Sequence, residues 1–295
     1  MANKLRYGQV QRSAMNWPFF AAAELNLFAE QSLAVEPHIY AAPPDPVAGL
    51  INGSLNLINV IPDVTLMEMV KGAPLALIAN TNSRAQYRLV VNAEIRDYKG
   101  LEGKKIGVND GRSAESLILK RLLKKNGLKP EAFELVASGP PLKRCEKLKQ
   151  GEIAATMVTE PFHFFLEEQG GRVLGSSLEV APDYPFTVCV VRREERVNED
   201  ILRFLKCLKS AWHWLCGPSN RERAVAILSR STDTPMKQAE ATYDLYLKPP
   251  EPPSLAPTEE GVTTVLELLA ESGRIPRPLP PARKFIDPRY FERLD

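Results

Sequence analysis

Two rhythms of apolar and polar positions alternate along the first 190 residues. Short apolar runs predict strands, as in LRYGQVQ (5–11) and LNLINVI (55–61). Between such runs, apolar side chains recur at helical spacing, as over 18–33, and these stretches predict amphipathic helices. Because strands that alternate with helices build parallel sheets covered by helices, we expect an α/β protein.

The other predicted elements follow the same alternation. Further strands are predicted at 35–40, 74–80, 87–91, 104–108, 133–137, 153–158 and 186–191, and further helices at 45–52, 63–71, 114–126, 142–150 and 162–169. After residue 191 the pattern of apolar residues changes. Only helical spacing follows, at 198–216, 219–230, 235–247 and 258–272. The proline-rich segment after residue 273 is predicted to wrap over the surface.

The restart of the strand–helix rhythm in mid-chain predicts an inserted unit. We expect a discontinuous first lobe of residues 1–85 plus 190–295, with a helical C-terminal return, and a second lobe of residues 86–189. Two chain crossings between lobes form a hinge, and a hinge over a cleft is a device for closing on a ligand.

Charge and cysteine content narrow the class of function. The 38 basic and 36 acidic side chains give a net charge of +2, which argues against nucleic acid as the main partner. No apolar stretch approaches the roughly 18 residues of a membrane span. Four cysteines without CxxC spacing (Cys145, Cys189, Cys207 and Cys216) predict free buried thiols and weakly favour a reducing compartment.

The N-terminal residues contain no apolar region of the kind that signal peptides have. We therefore expect a periplasmic location if a leader was removed, and a cytoplasmic location otherwise.

Motifs for chemistry are scarce. The three histidines are far apart in the sequence, and no P-loop, GxSxG elbow or GxGxxG fingerprint occurs. We therefore predict no metal, no cofactor and no catalytic residue.

Five segments carry a resemblance to a known family. They are WPFFAAAELNLFAEQSLAVE (17–36), VAGLINGSLNLINV (47–60), KGAPLALIAN (71–80), IRDYKGLEGKKIGVNDGRSAES (95–116) and LKQGEIAATMVTEP (148–161). In this order they resemble periplasmic substrate-binding proteins of the nitrate/sulfonate/taurine class, a family that also includes bacterial thiamine-precursor (pyrimidine) binders and fungal thiamine-pyrimidine synthases. The resemblance covers about residues 5–230.

The resemblance implies a type-II periplasmic-binding-protein fold, with two α/β lobes and a ligand in the cleft. It implies a protein that captures a small organic ligand, with an ABC-type membrane permease as partner. Arg112, the helix N-termini and Trp17 suit a small anion or a flat aromatic acid, and we expect a monomer. Two alternatives stay open. One is a cytoplasmic enzyme on the same fold, a decarboxylase or hydrolase of small aromatic acids. The other is a cytoplasmic ligand sensor.

Ligands of open α/β sheets bind beyond the carboxyl ends of the strands, at helix N-termini. In the first lobe this rule selects residues that follow or end a strand: Gln11, Ser13, Trp17, Pro62, Asp63, Asn80, Thr81 and Asn82. Tyr184, which lies just before the return strand, is a further candidate for lining the cleft. Structural roles compete with these assignments. Trp17 fits a lid over a helix start, Asp63 a first-turn acid and 80–82 a plain turn.

In the second lobe the rule selects two strand ends: Asn109, Gly111, Arg112, Ser113 and Ala114 after one strand, and Thr159 and Glu160 after another. The segment 109–114 is the strongest candidate, because helix amides and the Arg112 guanidinium together suit an anion. The competing structural roles are an ordinary N-cap for Ser113 and a first-turn acid for Glu160.

Overall fold

The computed structural model describes residues 4–83, 86–194, 196–247 and 250–294. The chain forms two compact units: unit 1 comprises residues 1–84 and 184–295, and unit 2 comprises residues 85–183. Each unit contains a five-stranded, mostly parallel sheet flanked by helices, which confirms the predicted α/β class. No helix within the described ranges is long and apolar enough to cross a bilayer.

The sheet of unit 1 is formed by β1 (Leu5–Val10), β2 (Val35–Tyr40), β3 (Leu57–Val60), β4 (Leu75–Asn82) and β10 (Thr187–Arg192). The strand order is β2-β1-β3-β10-β4. β10 is antiparallel to both of its neighbours, whereas β1 pairs in parallel with β2 and β3. β1, β3 and β4 therefore end at the edge of the sheet where β10 begins.

The helices of unit 1 are α1 (Trp17–Glu24), α2 (Leu27–Glu30), α3 (Pro44–Ile51), α4 (Pro62–Val70), α8 (Glu199–Cys216), α9 (Arg221–Thr232), α10 (Met236–Tyr246), α11 (Glu259–Glu271) and α12 (Pro288–Phe291). The prediction of one continuous helix over 18–33 was wrong. Asn26 has a φ of 59°, and this left-handed conformation interrupts the helical hydrogen-bond ladder between α1 and α2.

An aromatic cluster fills the core of unit 1 on one face of the sheet. The rings of Tyr7 and Phe19 lie 4.7 Å apart, and those of Phe28 and Phe204 lie 5.3 Å apart.

On β1, a Cβ on Gly8 would lie 2.6 Å from the Leu55 side chain. A larger residue at this position would therefore require the Leu55 side chain to shift.

The proline-rich C-terminal segment follows the outer edge of β4. The Asp287 N–H donates to the Leu77 carbonyl oxygen (2.9 Å), and Ile286 forms a parallel bridge with Leu77. The Tyr290 hydroxyl accepts a hydrogen bond from the Asn198 N–H (3.1 Å). The segment thus pairs the backbone groups of an edge strand that would otherwise be exposed.

The sheet of unit 2 is formed by β5 (Arg88–Val91), β6 (Lys105–Val108), β7 (Glu134–Ala137), β8 (Ala155–Val158) and β9 (Arg172–Ser176), in the order β7-β6-β8-β5-β9. β5 is antiparallel to both of its neighbours. The helices are α5 (Ala114–Lys125), α6 (Pro141–Lys149) and α7 (Phe162–Glu168).

The sequence analysis missed β9. This edge strand begins with the exposed Arg172 and Val173, and Gly175 is its one buried residue. It therefore lacks the apolar run that marks a half-buried strand. Its pairing with β5 makes it a strand, and that information lies elsewhere in the chain.

Candidate functional site

The residues selected in unit 1 share the carboxyl edge of its sheet, where β1, β3 and β4 end. They follow β1 or β3, end β4, or precede β10: Gln11, Ser13, Trp17, Pro62, Asp63, Asn80, Thr81, Asn82 and Tyr184. Residues 80–82 belong to β4 itself and not to a turn. Ligands of α/β sheets bind at such an edge.

A buried network of neutral side chains lies under this edge. The Asn59 side-chain amide donates to Oδ1 of Asn16 (3.0 Å), and Oδ1 of Asn59 accepts from the Thr81 hydroxyl. The hydroxyl oxygens of Thr81 and Thr187 lie 3.0 Å apart, and the Trp212 indole N–H donates to the Thr81 carbonyl oxygen (2.9 Å). The network fixes β3, β4 and β10 against the start of α1, so Thr81 has a structural role.

The loop between β1 and α1 is held from two sides. The Asn16 side-chain amide donates to the Gln11 carbonyl oxygen (3.1 Å), and the Asn82 side-chain amide donates to the Met15 carbonyl oxygen (3.4 Å). The Gln11 side chain is exposed and Ser13 is half-buried. The loop backbone is therefore anchored, while the side chains of Gln11 and Ser13 stay near the surface.

Three buried polar atoms at this edge have no hydrogen-bond partner in the part of the chain that the structure describes. They are Oε1 of Gln9, Nε1 of Trp17 and Oδ1 of Asn80. The Trp17 indole is fully buried, and its ring lies 6.0 Å from Tyr243 and 6.3 Å from Tyr246. Buried polar groups without partners are uncommon, so these three atoms are candidate contacts for a bound ligand.

Asp63 is engaged within unit 1. It lies in the first turn of α4, and its Oδ2 forms an ion pair with Nη1 of Arg274 at 3.3 Å. Burial raises the pKa of Asp63 above its ordinary value, and the Arg274 charge opposes this shift. The geometry supports the competing structural role for this carboxylate.

In unit 2, the loop after β6 is organised by its own aspartate. Oδ1 of Asp110 accepts hydrogen bonds from the backbone N–H groups of Arg112 (2.9 Å) and Ser113 (2.6 Å). The Arg112 side chain is exposed, Gly111 is half-buried and Ala114 is buried at the start of α5. An anion at the amides of residues 112 and 113 would have to displace the Asp110 carboxylate.

A buried ion pair lies directly under this loop. Arg144 of α6 is fully buried and contacts Glu115 through both terminal nitrogens, with Nη2 at 2.8 Å from Oε2. Nη1 of Arg144 also donates to the Met157 carbonyl oxygen (3.0 Å). Oε1 of Glu115 accepts from the Asn109 N–H (3.1 Å). The pair therefore connects the ends of β6 and β8.

A second group of residues follows β8. Thr159 and Glu160 are buried, and His163 lies in the first turn of α7. The His163 ring is buried and its Nδ1 has no hydrogen-bond partner among the residues described. Burial, together with the Arg88 charge, lowers the pKa of His163 to about 4, so the ring is neutral at physiological pH.

Sequence reasoning missed several polar residues at these edges. Gln9 and Asn59 stand inside strands, Arg88 begins the otherwise apolar β5, and Arg144 stands on an amphipathic helix. A polar residue inside an apolar strand is a usable signal, because burying it is costly unless it has a partner.

The four cysteines are free and buried, as predicted. Burial raises the pKa of the Cys145 and Cys207 thiols to about 11 in each case, and it also raises the pKa of Cys189. Thiols with such pKa values stay protonated at neutral pH and are weak nucleophiles. No group of three or more potential metal ligands occurs among the described residues.

The same fold occurs in solved structures of low sequence identity. The ligand-binding component of an ABC-type import system from Staphylococcus aureus, with zinc bound, is 16% identical with a TM-score of 0.81, covering 99% of each chain. The periplasmic aliphatic sulphonate-binding protein SsuA from Escherichia coli is 19% identical with a TM-score of 0.79, covering 97% of this chain and 92% of that one.

The periplasmic nitrate-binding protein NrtA from Synechocystis PCC 6803 is 15% identical with a TM-score of 0.73, covering 96% of this chain and 84% of that one. The chain therefore has the periplasmic binding protein fold, as the resemblance implied. Comparison with curated proteins finds no match.

The family follows from the sequence itself. A family model described as NMT1/THI5 like matches residues 15–219. The chain belongs to the NMT1/THI5-like family, which confirms the resemblance found in the sequence.

Proposed function

We propose that this chain is a solute-binding protein that captures a small organic ligand for ABC-type uptake. One observation carries the proposal: the family match and the fold agree over most of the chain. The family model spans residues 15–219, and 99% of the chain superposes on the ligand-binding component of an ABC-type import system. Binding without chemical conversion is the activity that these two findings support together.

The polar groups at the two sheet edges support a hydrogen-bonding ligand. Two buried acceptors, on Gln9 and Asn80, and one buried donor, on Trp17, have no hydrogen-bond partner among the described residues. In unit 2, considered by itself, the loop after β6 carries the exposed Arg112 guanidinium. Binding sites of this kind combine apolar walls with a few placed polar groups, so an anionic or flat aromatic ligand fits the proposal.

A permease partner and a periplasmic location belong to the same proposal. The sulphonate-binding and nitrate-binding neighbours are described as periplasmic, and the Staphylococcus aureus neighbour as part of an ABC-type import system. We expect the loaded protein to stimulate ATP hydrolysis by its cognate ABC transporter in nanodiscs. Equal stimulation with and without ligand would contradict this part of the proposal.

The test is a ligand screen with recovery of the bound compound. The purified chain is heated with sulfonates, pyrimidines and aromatic carboxylates, and compounds that raise Tm are measured by calorimetry. We expect a ligand that binds one to one and is recovered unchanged by mass spectrometry. Conversion of the compound would favour an enzyme, and no rise in Tm with any class would reject solute binding of these classes.

Arg112→Ala tests the strongest residue predicted from the sequence. Loss of a charged hydrogen bond should weaken an anionic ligand by about 10- to 100-fold. Arg96→Ala, which removes another exposed arginine from unit 2, is the control and should leave the affinity unchanged. An unchanged affinity in Arg112→Ala removes this residue from the site.

A further inference from the structure

Arg88 occupies the carboxyl edge of the unit 2 sheet. It is the first residue of β5 and pairs in register with Val158, the last residue of β8. Side chains two residues apart on a strand share a face. Val90 packs in one apolar cluster with Val158 and with Leu166 of α7. The Arg88 side chain therefore lies on the face that α7 covers, beside the start of that helix.

Only some of the Arg88 guanidinium donors have a hydrogen-bond acceptor in the described part of the chain. Nη2 donates to Oε1 of Gln86 (2.8 Å), but Nε is buried without an acceptor in the described part of the chain. Arg88 forms no ion pair with any carboxylate of the described residues, in contrast to Arg144, which Glu115 neutralises on the same face. Leaving a partly buried cation without a counter-charge costs free energy, and a bound anion would remove that cost.

The neighbours of Arg88 suit an oxyanion. His163 of α7 is buried and neutral, and its Nδ1 is unmatched within the described ranges, so the ring can donate a second hydrogen bond. The Glu160 carboxylate is buried in the turn before α7 and makes interactions of its own, but it forms no ion pair with Arg88. Two donors, one of them charged, thus lie at this end of β5 and β8, close enough for the Arg88 charge to act on the His163 ring.

We propose that Arg88 and His163 form the subsite of unit 2 that receives the oxyanion group, carboxylate or sulfonate, of the ligand. This inference rests on the proposed function and adds Arg88 as a second charged contact beside the one predicted for the exposed Arg112. The guanidinium would supply charge-assisted hydrogen bonds from Nε and one terminal nitrogen. The His163 ring would supply a neutral hydrogen bond and add no charge of its own.

The direct test observes the Arg88 Nε–H group by ¹⁵N NMR and needs no knowledge of the natural ligand. Arg88→Lys assigns the signal by its disappearance. The wild type is titrated with acetate, with methanesulfonate and with neutral acetamide. We expect a saturable shift of the Arg88 signal with at least one anion and none with acetamide; the stronger anion identifies the group. No shift with either anion overturns the assignment.

Matched variants distinguish anion binding at Arg88 from a general effect of positive charge on unit 2. Arg88→Gln should weaken binding of the effective anion by about 10- to 100-fold, the scale of a lost charged hydrogen bond. Arg172→Gln removes an exposed arginine from the opposite end of the same strand pair and should leave binding unchanged. Equal weakening by both variants overturns the subsite. Arg88→Lys keeps the charge, so a folded lysine variant should bind with an intermediate affinity.

The organic solutes of the screen distinguish the two proposals. If an anionic solute binds the wild type and Arg88→Gln equally well, the subsite is wrong while solute binding stands. If simple anions bind at Arg88 but no organic solute of the screen does, the subsite stands and the proposed function fails.

Discussion

Under the carboxyl edge of unit 1 the side chains that tie β3, β4 and β10 together are neutral amides and hydroxyls, as in the contacts of Asn59 with Asn16 and Thr81, while the ion pair of Asp63 with Arg274 joins α4 to the segment after α11. Under the corresponding edge of unit 2 the connecting side chains are charged, and the central contact is the ion pair of Arg144 with Glu115. The two sheets have the same general architecture, so the difference lies in how each edge is held.

The difference has energetic consequences. A neutral hydrogen bond that loses one partner leaves an unmatched group that costs about 1–3 kcal/mol. A buried ion pair that loses one partner leaves an uncompensated charge, which costs about 3–5 kcal/mol. The edge of unit 2 should therefore be the more sensitive of the two to a single substitution.

The largest effect is expected for Arg144→Met. The substitution leaves Glu115 buried without its counter-charge, and we expect the free energy of unfolding of unit 2 to fall by about 3–5 kcal/mol. Urea unfolding followed by circular dichroism measures the loss. The double variant Arg144→Met with Glu115→Leu should recover most of it, and the exposed Lys143→Met is the control. A single variant as stable as the wild type would show that the pair is not ionic.

A smaller effect is expected for Asn59→Leu in unit 1. It removes the partner of both Asn16 and Thr81 and should lower the free energy of unfolding by about 2–3 kcal/mol. Asn52→Leu, at an exposed position of the same unit, should change it by less than about 1 kcal/mol. If Asn59→Leu costs as much as Arg144→Met in the same urea experiment, the contrast between the units does not hold.

His163 makes unit 2 sensitive to acid. Its pKa is about 4 in the folded protein against an ordinary 6.5, so the unfolded chain binds a proton that the folded chain does not. Between these two pH values stability falls as the pH falls, and from pH 7 to pH 5 the loss should be about 1–2 kcal/mol. Urea midpoints at both pH values, compared between wild type and His163→Gln, isolate this contribution. An identical pH dependence in both proteins would contradict the shifted pKa.

The smallest effect is expected for Asp110→Ala, whose side chain is exposed. The substitution releases the N–H groups of Arg112 and Ser113, and we expect a loss of about 0.5–1 kcal/mol. Amide hydrogen exchange of residues 112 and 113 should become faster, while Glu102→Ala leaves it unchanged. Slow exchange in Asp110→Ala would mean that other contacts hold this loop.

Periodicity revealed most of the fold because the main elements are amphipathic or wholly apolar. The patterns predicted α5, which ends just before Gly127 with its positive φ of 86°, and α8, to within one or two residues. They also predicted the change from α/β to helical structure after β10. The polar strand β9 and the break at Asn26 escaped prediction, because neither has an apolar period to detect.

The candidate site was less accessible to this reasoning. The rule about strand ends selected loop residues such as Arg112, but it passed over Asn59, Arg88 and Arg144, which lie within strands or helices. Their roles depend on partners distant in the chain; Glu115 and Arg144, for example, are 29 positions apart. No local pattern reports such a pairing.

The order of apolar and polar residues was by itself sufficient to determine an α/β chain, because side-chain periods of two and 3.6 residues reflect local backbone geometry. The tertiary structure alone decided which polar side chains are buried and whether each has a partner. That outcome depends on sheet neighbours that the sequence keeps far apart and on the high cost of burying a polar group alone.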